Sequence, residues 1–74
     1  MTLRTTEILE LLESHAGSYV LRNLGTYRVK NADGTDMVKI EGGRTCVLEP
    51  SHQMMDDLMA QGRLKQNGQK YTLA

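Results

Sequence analysis

Three side chains in this sequence have the chemistry of a nucleophile or a base near neutral pH: His15, Cys46 and His52. A catalytic Cys–His pair needs hydrogen-bond contact. His15 falls at the edge of the apolar face of a first helix and His52 in the first turn of a second. All three read as packing or surface groups, and no catalytic residue is expected. Metal binding meets a similar objection. Cys46 and His52 have no second cysteine beside them, unlike the paired spacings of zinc sites. Asp56 and Asp57 are adjacent on a helix, so their side chains diverge by about 100° and cannot share one ion. Gly42-Gly43-Arg44 could form a nest of amide groups for an anion. It lacks the lysine and helix that follow in a phosphate-binding loop, and reads as a turn or bulge. Neither a metal nor a cofactor is expected.

The elements that position these residues are bounded by size. The chain has 74 residues, which predicts a single domain over 1–74 with one small core and no deep enclosed active site. Hydrophobic residues make up 39% and charged ones 24%, the balance of a globular chain rather than a disordered one. One cysteine cannot form an internal disulfide, which suits a reducing cytoplasm. No run of about 18 apolar residues exists, and MTLRTTEILE lacks the basic-then-apolar order of a signal peptide. A cytoplasmic protein without a membrane partner is expected. Nine basic and nine acidic residues cancel, which argues against bulk-charge attraction to a polyanion.

Apolar spacing predicts a first helix over roughly 3–16, with Ile8, Leu9, Leu11, Leu12 and Ala16 on one face. Thr2, Thr5 or Thr6 can cap it, and Gly17 sits where helices commonly end in a left-handed residue. Residues 18–49 read as strands. Asp33-Gly34 predicts a two-residue hairpin turn that sets Val29 against Val38, Tyr27 against Ile40 and Arg28 against Lys39. A short strand follows at Thr45–Leu48, and a further one at Tyr19–Leu21 is left open. The second helix spans roughly 50–61, with Pro50 in its first turn and Met54, Met55, Leu58 and Met59 as its apolar stripe. Methionines at helical spacing are read as core filler before an adaptable groove. The last hairpin turns at Asn67-Gly68, which sets Leu64 against Tyr71 and Lys65 against Lys70. The expected core joins Ile8, Leu12, Val29, Val38, Leu48, Met55, Leu58 and Leu64.

The segment Leu58-Met59-Ala60-Gln61-Gly62-Arg63-Leu64, followed by a hairpin closing on Tyr71-Thr72-Leu73, resembles the end of a winged-helix domain. The likeness covers about the last 25 residues and makes the hairpin a wing. Ahead of it the chain departs from that pattern, because strands stand where further helices belong. The order helix–hairpin–strand–helix–hairpin, with Cys46-Val47-Leu48 before the second helix, is similar to the YjhX-type family of small bacterial proteins. That resemblance implies an inhibitor of a host topoisomerase. The expected fold class is α+β, winged-helix-like, with two helices packed on antiparallel hairpins.

Charge is segregated along the chain. The helices carry Glu7, Glu10, Glu13, Asp56 and Asp57, while basic residues sit almost wholly in the strands. A basic sheet surface (Arg28, Lys30, Lys39, Arg63, Lys65, Lys70) and an acidic helix face (Gln53, Asp56, Asp57) are the two candidate partner-binding surfaces. Two aspartates on a recognition helix would meet phosphates unfavourably. Three tyrosines and no Phe or Trp make a poor base-stacking platform. The expected function is a small non-catalytic protein-binding regulator or inhibitor, a monomer or homodimer, of the kind short phage or mobile-element proteins supply. The alternative is a DNA-binding transcriptional regulator that contacts phosphates weakly through its basic hairpins.

Overall fold

The structure is a computed structural model and describes residues 3–74. Its first element is helix α1, Thr5–Ser14, which buries Ile8, Leu9 and Leu12. Arg4 stands at the N-cap without a side-chain cap bond, so Thr5 and Thr6 do not cap. The expected cap at Thr2 lies outside the described residues. Ala16 falls beyond the helix and is exposed rather than part of its apolar face. Beyond the helix end, the Ser18 hydroxyl donates to the His15 carbonyl at 2.6 Å. Gly17 turns the chain with φ 82°, and a Cβ there would stand 2.9 Å from the Ala32 Cβ. Only glycine fits both demands.

Four strands make the main sheet in the order β2-β1-β6-β5, from β1 (Tyr19–Asn23), β2 (Thr26–Lys30), β5 (Leu64–Asn67) and β6 (Lys70–Leu73). The segment at 19–21 is thus a strand, and a central one. Val20 pairs with Val29 on one side and Tyr71 on the other, and is fully buried. The β1–β2 turn is Leu24-Gly25, with φ of 52° and 80°. A two-residue turn with both angles positive matches the right-handed twist of its strands.

The expected pairing of 26–30 with 37–41 is overturned. Here Asn31 and Thr35 close a three-residue loop, Ala32-Asp33-Gly34: the Asn31 N–H donates to the Thr35 carbonyl, the Gly34 N–H donates to the Asn31 carbonyl, and Gly34 takes φ 89°. The extra loop residue slips the register by one. Lys30 then meets Asp36, and the Met37 N–H donates to the Val29 carbonyl. A one-residue slip exchanges the two faces of a strand. Met37 therefore enters the core at 5% exposure, and Val38, expected there, is 48% exposed. Beyond Met37 the chain leaves β2. Strands β3 (Val38–Glu41) and β4 (Arg44–Val47) form a separate two-stranded sheet that turns at Gly42-Gly43. Tyr27 does not face Ile40, nor Arg28 Lys39: Ile40 pairs with Thr45 and Lys39 with Cys46.

Helix α2 is His52–Ala60. Pro50 lies just before it, buried, rather than in its first turn. The N-cap is Ser51, whose hydroxyl accepts from the Met54 N–H at 3.2 Å. Met55 and Leu58 are buried, and Met54 and Met59 pack half-buried against the same core. The final hairpin keeps its faces but shifts its register. Its turn is Gly68-Gln69, so Leu64 meets Leu73, Lys65 meets Thr72 and Lys70 meets Asn67. Only Gly68 has positive φ in that turn, the signature of a type II′ turn with glycine first. The core draws on every layer: Ile8, Leu9 and Leu12 from α1, Met55 and Leu58 from α2, and Val20, Tyr27, Val29, Leu64 and Tyr71 from the sheet.

Candidate interaction surface

Side chains alternate across a strand, so the pairing of the main sheet sorts its residues onto two faces. Val20, Tyr27, Val29, Leu64 and Tyr71 share the face that packs on the helices. The outer face carries Leu21, flanked by Arg28 on β2 and Lys70 on β6, then Tyr19 opposite Lys30, and Lys65 opposite Thr72. Four of the six expected basic residues are therefore together: Arg28, Lys30, Lys65 and Lys70. The other two stand elsewhere. Lys39 is on β3, and Arg63 lines the depression between α1 and α2 with Glu10 and Glu13. The pairs expected to set like charges face to face do not form, because both registers moved.

Three of these six cations, Arg28, Lys30 and Lys39, have anionic partners. Arg28 lies between Asp36 at 3.2 Å and Glu49 at 3.5 Å. Lys30 reaches the other oxygen of Asp36 at 2.6 Å, and Lys39 reaches Glu7 at 3.4 Å. The Lys70 ammonium sits 4.6 Å from the centre of the Tyr19 ring, a cation–π distance. The hydrogen bond from Lys30, with the charges of Lys30 and Arg28, holds the Asp36 carboxyl below the usual carboxylate range. Asp36 escaped the sequence reading, since the slip that brings it to Lys30 comes from the loop.

A depressed carboxyl pKa fixes the sign of a pH effect. What Asp36 contributes to stability is present above its unfolded pKa, near 4, and is lost as pH falls through the lower folded value. Acid should therefore loosen the 31–37 loop first. NMR titration is expected to place Asp36 below an ordinary aspartate, and Asp36→Asn should remove that part of the acid dependence. An Asp36 that titrates as a free aspartate would show the Lys30 contact to be absent in solution.

Apolar residues edge the same face. Leu24, at the tip of the β1–β2 hairpin, is 96% exposed and held at φ 52°. A non-glycine residue other than Asn or Asp is rare in that conformation. With Leu21, Asn23, Thr26, Arg28 and Lys30 it lines a shallow depression of about 410 Å³. No sequence signal marked Leu24, because leucine is not a turn residue. On the other side of the molecule Gln53, Asp56 and Asp57 are all exposed on α2.

The three residues with nucleophile or base chemistry are dispersed over different elements. His15 follows the end of α1, and Cys46 lies in β4 opposite Lys39. His52 opens α2 with its ring edge-on to Tyr27, centroids 5.1 Å apart. Tyr27 meets Tyr71 edge-on as well, at 5.6 Å. Burial, with Tyr71 beside it, raises the Tyr27 hydroxyl above the ordinary phenol range. Among the described residues no group of three or more His, Cys, Asp and Glu converges as metal ligands would. No helix among them is long and apolar enough to cross a membrane.

Over the described residues these features define a mixed α+β protein of two helices and two antiparallel sheets, with a mixed-charge outer sheet face beside an exposed leucine. No family model, no curated protein and no solved structure matches the chain.

Proposed function

We propose that this protein is a small non-catalytic protein-binding regulator or inhibitor, acting in the cytoplasm through the outer face of its main sheet. The observation that carries the choice is the ion pairing of Arg28 and Lys30 with Asp36 and Glu49. A phosphate track needs cations free to displace condensed counterions. A face of paired charges, tyrosine and exposed leucine suits another protein better. In this reading the fold is winged-helix-like, with α2 in the place of the recognition helix and β5–β6 as the wing. The likeness of Cys46-Val47-Leu48 and the closing hairpin to the YjhX-type inhibitors favours a protein partner, and the proposed source is a phage or other mobile element. Lys65 and Lys70 keep the second reading in view: they share the outer face, and a DNA regulator would use them for phosphates.

Leu24 gives the first reading a handle. Leu24→Asn suits the left-handed turn and is expected to raise stability by up to about 1 kcal/mol. Photo-crosslinking from position 24 should yield a protein adduct that Lys65→Glu/Lys70→Glu diminishes. Anisotropy titrations with labelled duplex DNA should show at most weak association, steeply weakened by salt and indifferent to base sequence. Lys65→Glu/Lys70→Glu, on the proposed face, is expected to disturb activity more than Asp56→Lys/Asp57→Lys on α2. A tight complex with one DNA sequence at physiological salt, abolished only by the lysine changes, would put the DNA regulator first.

A further inference from the structure

The β3–β4 hairpin is the least explained part of the molecule. Its two strands pair only with each other, and such a sheet is marginal in water by itself. One face carries Val38, Val47 and Ile40, which are 48%, 39% and 74% exposed. Of these, Ile40 lies farthest from the body of the fold, one residue pair from the Gly42-Gly43 turn.

We infer that the open edge of β3 is a self-association site, where a second copy of this chain pairs antiparallel about a two-fold axis at Ile40. Three features of β3 converge on that arrangement. The first is the direction of its backbone groups. Gly42 and Gly43 both have positive φ, at 58° and 77°, as a two-residue type I′ turn requires. In such a hairpin the residues flanking the turn, Glu41 and Arg44, exchange both of their hydrogen bonds, and the pattern alternates outward. Lys39 and Glu41 therefore point their N–H and C=O groups at β4, while Ile40 points its pair at the open edge. Two copies related at Ile40 would each donate that N–H to the other's carbonyl.

The second feature is charge. A two-fold axis at Ile40 sets Lys39 of one copy opposite Glu41 of the other, twice over. Opposite charges directly across a strand pair stabilise it, and like charges weaken it. The β4 edge has no such match, since an axis at Thr45 sets Arg44 against Cys46. The third is apolar contact: the two Ile40 side chains meet across the axis on one face, where each is otherwise the most exposed member of the hairpin's apolar face. Four-residue strands bury little area, so the dimer is weak, with a dissociation constant of about 0.1–1 mM. This edge lies on the β3–β4 sheet and not on the outer face assigned to a partner above.

Sedimentation equilibrium over that concentration range, with circular dichroism to confirm folding, tests the inference. The wild type should show a monomer–dimer equilibrium. Ile40→Lys, which sets two ammonium groups across the axis, should weaken it about tenfold or more, because symmetry applies each change twice. Oxidative cross-linking gives the register. Paired residues that exchange both hydrogen bonds have Cα atoms about 5.5 Å apart, within disulfide reach. Ile40→Cys/Cys46→Ser should therefore form a covalent dimer readily, and Leu24→Cys/Cys46→Ser, at a more exposed position, should not. Cys46 in the wild type would lie about 16 Å from its mate, three strand spacings across and two residues along, and should stay reduced. A protein that remains monomeric to about 1 mM would overturn the inference. So would a dimer that cross-links through Cys46 but not through position 40.

Discussion

Leu58→Ala is expected to cost about 2–5 kcal/mol, the range for emptying a fully buried leucine site. Leu58 has no exposed surface and lies on the face of α2 that meets α1 and β5. Its carbonyl also accepts from the Arg63 N–H at 3.0 Å, the bond that turns the chain from α2 into β5. A domain of this size has a total stability of about 4–11 kcal/mol at ordinary per-residue values. The loss is thus about a fifth of the whole at the least. In thermal melts it should appear as a fall of about 8 °C at the least. Met59→Ala, one residue on and half-buried, should cost clearly less. A loss for Leu58→Ala below about 0.5 kcal/mol in denaturant melts would remove Leu58 from the core.

The helices and their buried faces were legible because 3.6-residue spacing carries its own frame of reference. Ile8, Leu12, Met55 and Leu58 are core by that spacing, and the structure buries all four. Strand pairing has no such local frame. At Asn67-Gly68 the expected and observed registers differ by a shift that leaves every side chain on its own face, so the hydrophobic pattern could not separate them. At Asp33-Gly34 the dipeptide marked a real reversal, but the loop holds three residues, and that one extra residue exchanged Val38 for Met37 in the core. The central strand was hidden twice. Its turn, Leu24-Gly25, lacks a polar turn residue. Its outward residues Tyr19 and Leu21 are apolar or aromatic too, so no in-and-out alternation shows. The basic surface was legible as a set of residues, though not its neutralisation, since Asp36 and Glu49 reach Arg28 only after the chain has folded.

Val20→Asp is expected to leave no stably folded protein. Val20 is fully buried on β1, one of the two inner strands of the sheet, between Val29 and Tyr71, with the helices against its side chain. Its neighbours in the core are apolar or tyrosine, so a carboxylate there would find no cationic partner. Removing a charge from water without one costs several kcal/mol, and the carboxyl would stay protonated to well above its ordinary range instead. Either outcome adds to the loss of valine packing, and the sum matches the whole stability of a small domain. Ile40→Asp supplies the contrast. It places the same charge on a strand of similar length, but at a side chain 74% exposed, and should leave the melting transition nearly unchanged. Circular dichroism and a proton–nitrogen correlation spectrum of each variant make the comparison. Collapsed amide dispersion is expected for Val20→Asp and a native spectrum for Ile40→Asp. A native spectrum for both would mean that β1 is not the strand on which the sheet is built. Collapse of both would mean that the β3–β4 hairpin, despite its exposure, is part of the same cooperative unit.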